Sequence, residues 1–154
     1  MANEARVIRL RANTTFFLGV RDQIAFSHVE FKQTGDGQTT IWDIEWNNNA
    51  VLLHSSQGWL ALDFQGQRAA SEVPLIVSPY NGAPTPTQRW SFFVRPGYIT
   101  SLANPSLVVD VKDRGIKDGQ PVWGYTFNSS PAQQWVLSSP FEVLAEALEE
   151  AETA

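Results

Sequence analysis

The chain has 154 residues, 43% of them hydrophobic, which is enough for one domain with its own core. It has no cysteine, so a disulfide framework and thiol chemistry are excluded. The formal net charge of -5 sits in the tail: residues 140–154 carry five glutamates and no Lys or Arg, and the neutral body has no basic cluster, which argues against nucleic acid or an anionic membrane surface as partner.

Met1 is followed by Ala2, Asn3, Glu4, Ala5 and Arg6 with no apolar run behind them, which does not read as a secretory leader. No stretch approaches the length of a membrane span, so membrane insertion is not expected and the predicted location is cytoplasmic. Short β-prone runs then follow one another at 7–10, 15–20, 50–53, 59–64, 73–77, 90–94, 98–102, 107–111, 120–125 and 134–137. Turn formers separate them: Gly35-Asp36-Gly37, Asn47-Asn48-Asn49, Asn81-Gly82, Arg95-Pro96-Gly97, Asp118-Gly119 and Asn128-Ser129-Ser130-Pro131. Many short strands with regular turn signals predict an all-β sandwich or barrel. The end differs. Phe141, Leu144, Leu148 and Ala151 fall at helical spacing, Ser139 with Glu142 makes a capping box, and Pro140 suits the first helical position. Residues 140–154 are therefore expected to form a short acidic amphipathic helix, either capping the open end of a barrel or supplying a contact for a homodimer.

Trp42, Trp90 and Trp135 each close a block, 48 and 45 residues apart. The triplets Leu18-Gly19-Val20, Leu62-Asp63-Phe64 and Val109-Asp110-Val111 fall at matching places. Pro74 and Pro121 each lie eleven residues after the Asp of their triplet. A four-strand unit of this length cannot bury its own apolar face, so three of them are expected to share one core, with the tryptophans inside it. The repeats run approximately 5–48, 49–96 and 97–139, within a domain of residues 1–139. The Asp in two of the triplets is unexplained by this pattern, because a plain structural strand has no use for a carboxylate.

With Gln-x-Trp at Gln88/Trp90 and Gln133/Trp135, the triplets and the threefold repeat, the chain resembles the ricin-B-type carbohydrate-binding lectins over roughly residues 5–138. The resemblance implies a β-trefoil of three pseudo-repeats followed by the short helix. It implies a non-enzymatic lectin that recognises glycans of glycoproteins or glycolipids, with terminal galactose or N-acetylgalactosamine as the commonest preference of such proteins. Small size and the lack of cysteine are most similar to cytoplasmic fungal members, which act in defence. In these lectins a triplet Asp accepts hydrogen bonds from vicinal sugar hydroxyls, an aromatic stacks on the ring, and an Asn or Gln near Gln-x-Trp adds polar contacts.

The third repeat meets that pattern best. Asp110 matches the triplet Asp, Tyr125 the stacking aromatic and Gln133 the motif Gln. Trp123 shares Tyr125's strand face, being two residues away. Ala132 stands where many such lectins have Asn, a place Asn128 in the preceding loop is expected to fill. The alternative for Asp110 is a local turn cap. The second repeat offers Asp63, Ser78, Tyr80 and Gln88 as a further site. Ser78 stands at the position matching Tyr125. The first has Gly19 in place of Asp and Thr40 in place of Gln, with Phe31 where an aromatic could stack, and no site of this type is expected there.

No cofactor is implied. His28 and His54 are isolated, so a metal site or a nucleophile–histidine centre has nothing to build on. No carboxylate pair is arranged for glycoside hydrolysis by any visible signal. The competing reading is a β-trefoil protease inhibitor acting through exposed loops at 81–88 or 32–38. A third is an interaction module without a ligand pocket, should both Asp63 and Asp110 be structural.

Overall fold

The structure, a computed structural model, describes residues 3–33, 35 and 37–153. Each of three repeats contributes four strands. The first has β1 (Glu4–Leu10), β2 (Asn13–Val20), β3 (Val29–Lys32) and β4 (Ile41–Glu45). The second has β5 (Ala50–Ser55), β6 (Gly58–Phe64), β7 (Val73–Pro79) and β8 (Trp90–Ser91). The third has β9 (Thr100–Ser101), β10 (Leu107–Val111), β11 (Val122–Thr126) and β12 (Trp135–Ser138). The fold is the expected β-trefoil. The outer strands of the repeats form a barrel that closes where β12 pairs antiparallel with β1, Leu10 opposite Trp135. The inner strands form three hairpins, β2–β3, β6–β7 and β10–β11, that cap one end.

The three hairpins meet by one rule. Strand pairing sets Gly19 opposite Glu30, Asp63 opposite Ile76 and Asp110 opposite Trp123, which makes those three pairs equivalent. Between hairpins, His28 bridges to Ile76, Pro74 to Trp123 and Pro121 to Glu30. Each bridge therefore joins a residue of one repeat to the partner of the triplet's central residue in the next. The core gathers one face of every inner strand: Leu18 and Val20, Leu62 and Phe64, Val109 and Val111. Side chains alternate along a strand, so Gly19, Asp63 and Asp110 point to the opposite face, toward the outside of the cap.

The core tryptophans set that register. The indole N–H of Trp42 donates to the Leu18 carbonyl at 2.9 Å, that of Trp90 to Leu62 at 2.9 Å and that of Trp135 to Val109 at 3.2 Å. Each accepting carbonyl belongs to the residue just before Gly19, Asp63 or Asp110. Phe31, read as a ring that could stack on a ligand, lies instead in the core with no exposed surface, against Phe16 and Trp135. The alternation along β3 explains the placement. Glu30 and Lys32 take the outward face, so Phe31 points in.

The C-terminal helix α1 (Pro140–Thr153) forms as its spacing predicts, and Ser139 Oγ accepts the Glu142 N–H at 3.1 Å as an N-cap. It does not plug the barrel. Phe141, Leu144 and Leu148 are 82%, 56% and 58% exposed. The helix is held by charge: Arg9, buried on β1, donates to Glu146 at 2.7 Å and to Ser138 Oγ at 2.7 Å. No helix among the described residues is long and apolar enough to cross a membrane.

The Arg9 guanidinium holds Glu146 below the ordinary carboxylate value. The sign follows from linkage: this contact stabilises docking above the ordinary value and is lost as pH falls through the lowered one. Glu146→Gln is expected to release α1, read as faster amide exchange across residues 141–153. Because the glutamate is half exposed, barrel stability should change by less than about 1 kcal/mol in urea denaturation.

Candidate functional site

In the third repeat the carboxylate of Asp110 is held on both sides. Its Oδ1 accepts the Trp123 indole N–H at 2.7 Å and its Oδ2 accepts the Gln133 amide N–H at 2.8 Å. Gln133 has no exposed surface; its Nε2 also donates to the Thr126 carbonyl and its Oε1 accepts the Asn128 N–H. The local turn cap considered for Asp110 is absent from these contacts. Burial pushes the Asp110 carboxyl above its ordinary value, against the pull of its two donors and of Arg114. Asp110 is 5% exposed, so a ligand meets it through a narrow window. Each carboxylate oxygen still has a second lone pair for a hydroxyl.

Outside that window lies an aromatic surface. Trp123 and Tyr125 are half-buried and stack with centroids 5.4 Å apart at 18°, and the Lys112 ammonium stands 5.8 Å from the Trp123 ring. A cleft of about 270 Å3 opens beside Trp123, walled by Lys112 and Pro121 of the same repeat, Glu72 and Pro74 of the second, and Arg21 and His28 of the first. Asn128 is exposed, and its side chain accepts the Ser130 N–H at 3.0 Å, which commits that oxygen to the turn.

The second repeat builds a related network with two changes: a Ser78 relay, and a backbone donor in place of the indole. Asp63 Oδ1 accepts the Phe64 N–H at 2.7 Å and Oδ2 accepts the Ser78 hydroxyl at 2.6 Å. Gln88 Nε2 donates to that same hydroxyl at 2.9 Å. Ser78 thus relays between the Asp and Gln that touch directly in the third repeat. Tyr80 takes no part. It packs with Ala50, Leu52 and Ala61, and its hydroxyl donates to Glu45, with burial and that carboxylate pushing its pKa to about 12. A cleft of about 270 Å3 lies over Asp63 and Ser78, and its aromatic wall is Phe26, from the first repeat.

Phe26 was not singled out by the sequence. It is 65% exposed and sits at φ 68°, a conformation that bulky residues rarely adopt. Its N–H donates to the Val77 carbonyl; at the equivalent places Glu72 donates to Gly124 and Gly119 to Phe31, both also left-handed. The fold needs the backbone in this shape, and glycine would serve best. The Asp118-Gly119 turn was the available signal: aligning the repeats on Pro74 and Pro121 puts Glu72 and, through His28, Phe26 at the glycine's position. The side chain there enters the cleft of the following repeat.

At Gly19 of the first repeat the corresponding space is filled by other described residues. A Cβ there would lie 2.6 Å from Lys32 Cγ and 2.7 Å from the Thr39 carbonyl. Lys32 fills the space and pairs with the buried Glu30 at 3.7 Å, which Arg21 also meets at 3.3 Å. Among the described residues no group of three or more His, Asp or Glu is placed to hold a metal ion. Of the loops weighed for an inhibitor, 81–88 ends in a turn with Thr87 and Gln88 buried, and Thr34 and Asp36 of the other lie outside the described residues.

Gln133→Ala leaves Asp110 Oδ2 and the Asn128 N–H without their partner, and a loss of about 2–3 kcal/mol in urea denaturation is expected, against less than about 0.5 kcal/mol for Gln134→Ala. Phe26→Gly removes a left-handed aromatic and is expected to leave stability unchanged or raise it by up to about 1 kcal/mol. A loss above 1 kcal/mol would show that the Phe26 ring is part of the packing.

No protein-family model matches the sequence, and no curated protein sequence matches it. Solved structures do. A designed threefold-symmetric protein, ThreeFoil, superposes with a TM-score of 0.72 at 19% identity, covering 88% of this chain and 98% of its own. The C-half of an earthworm R-type lectin in complex with GalNAc gives 0.67 at 16% identity, covering 88% and 98%. The Rhizoctonia solani agglutinin gives 0.70 at 13% identity, covering 90% and 96%. The chain is a β-trefoil, similar in fold to structures that include β-trefoil lectins.

Proposed function

We propose that the protein is a non-enzymatic lectin that binds neutral glycans of the terminal galactose or N-acetylgalactosamine type at the third repeat. The observation that carries this reading is the buried Asp110–Gln133 pair, joined through the Trp123 indole N–H to the stacked Trp123–Tyr125 surface. A pyranose presents an apolar C–H face and a rim of hydroxyls. The rings take the first, and the remaining lone pairs of a fixed carboxylate accept from the second. The paired network costs little to reorganise on binding, because Asp110 is already held by two donors. The earthworm structure contains GalNAc, which supports the same sugar class here. The cleft over Ser78 is a weaker second site with Phe26 as its ring; Asp63 has no exposed surface and acts there only through the Ser78 hydroxyl. A defence role and a cytoplasmic location accompany this reading through its resemblance to fungal lectins.

A shallow window onto one carboxylate gives weak binding per site, on the order of millimolar for a monosaccharide. Tyr125→Ala removes the platform without touching the Asp110 network and is expected to lower the array signal for galactose- and N-acetylgalactosamine-terminated glycans about tenfold or more, while the denaturation midpoint stays near that of the parent. An undiminished signal for those glycans in Tyr125→Ala would move the site out of the third repeat. Binding should also fail on acidification. The charged carboxylate is the acceptor, and burial has raised Asp110, so loss is expected at a pH above the ordinary Asp value of 3.8. Selective binding that persists undiminished at a pH well below that value would exclude the Asp110 carboxylate as the hydroxyl acceptor.

A further inference from the structure

A separate cleft of about 370 Å3, larger than those beside Trp123 and Asp63, lies between the first two repeats on the flank of the barrel. Its walls include Trp59, His54, Asp43 and Gln23. None of them belongs to a triplet or a Gln-x-Trp motif. We propose that this cleft is an additional binding site for a neutral hexopyranose, with Trp59 as the platform; the inference rests on the lectin reading above.

Trp59, the second residue of β6, lies opposite His54 on β5, and the two rings meet edge-on at 5.1 Å and 80°. The indole is 41% exposed, unlike the core tryptophans 42, 90 and 135. A cross-strand pair alone would account for the contact with His54. It would not account for a large aromatic left open beside a cavity that a carboxylate and an amide also line. Asp43 points outward from β4 between the buried Trp42 and Ile44, and its Oδ2 accepts the Asn3 amide at 3.2 Å. A carboxylate held by one amide retains acceptor capacity for hydroxyl donors. Gln23 donates its amide N–H to the His54 carbonyl at 2.5 Å, which ties the 21–28 loop of the first repeat to the β5–β6 hairpin of the second.

The ligand class follows from charge. The lining contains one carboxylate and no Lys or Arg, so sialylated, sulfated or phosphorylated sugars are disfavoured. A hydroxyl-rich ring with one apolar face satisfies an indole, a carboxylate and an amide together. A second site on a different flank also gives the single chain the means to engage two branches of one glycan surface, where modest single-site affinities multiply.

The test uses the full chain labelled with 15N and the methyl glycosides of galactose, glucose, mannose and N-acetylgalactosamine. In a Tyr125→Ala background at least one of these is expected to shift the Trp59 indole N–H signal in a saturable way. On a dense glycan surface, Trp59→Ala alone is expected to lower retention tenfold or more, with Trp59→Phe intermediate. No shift at Trp59 with any sugar, together with unchanged retention in Trp59→Ala, would overturn the site while Tyr125-dependent binding keeps the lectin reading intact. With Tyr125 intact, a Trp59 shift with none at Trp123 would keep this cleft and overturn the third-repeat site.

Discussion

Three hydrogen bonds organise this molecule: an indole N–H from Trp42, Trp90 or Trp135 to the carbonyl of Leu18, Leu62 or Val109. Each joins the last strand of a repeat to its cap hairpin, across a sequence gap that packing alone would leave free to slip. A slip of one residue would exchange the two faces of the strand. The bond fixes the residue before the triplet centre, so the centre must face out of the core. The position of Asp63 and Asp110 is therefore a consequence of how the core is clasped. Their partners Gln88 and Gln133 stand two residues before the clasping tryptophans, so one short motif serves both the core and the cleft.

That economy explains what could be read from the sequence. The repeats, the core tryptophans, the triplets and the Asp–Gln partnership all recur within a single repeat, at spacings the chain itself displays. The helix was legible because its apolar spacing and Ser139 cap are local. What could not be read lies between repeats. Phe26 reaches the Asp63 cleft because His28 bridges to Ile76, and Glu72 reaches the Trp123 cleft because Pro74 bridges to Trp123. No spacing within a repeat encodes those neighbours. The partner of Tyr80 is equally remote, since its hydroxyl donates to Glu45, thirty-five residues earlier. The helix's apolar edge gave no indication that Arg9 and Glu146, rather than Leu144 and Leu148, would dock it.

The repeats have diverged only where the clasp permits. Gly19 faces outward like the two aspartates, and the first repeat fills its place with Lys32 over a buried Glu30. A buried acid there requires cations, and Arg21 and Lys32 supply them. The equivalent outward positions in the other repeats are Ile76 with Ser78 and Trp123 with Tyr125. One set of backbone positions thus carries an ion pair, a small relay or an aromatic pair, while the core behind it keeps its three clasping tryptophans.

The same positions decide how strongly a ligand can be held. Asp110 is already satisfied by Trp123 and Gln133, and Asp63 by Ser78 and the Phe64 amide. A carboxylate so engaged does not depend on a ligand to justify its burial, and for that reason a ligand hydroxyl gains less from it than from an unpaired charge. Selectivity then rests on geometry at the window, and affinity rests on the exposed rings. Those rings differ from cleft to cleft: a Trp–Tyr stack in the third repeat and a lone left-handed Phe over the second. A trefoil built this way favours several weak and unlike contacts over one tight pocket, and its threefold cap spreads them over a surface that a branched or crowded glycan layer can meet at more than one point.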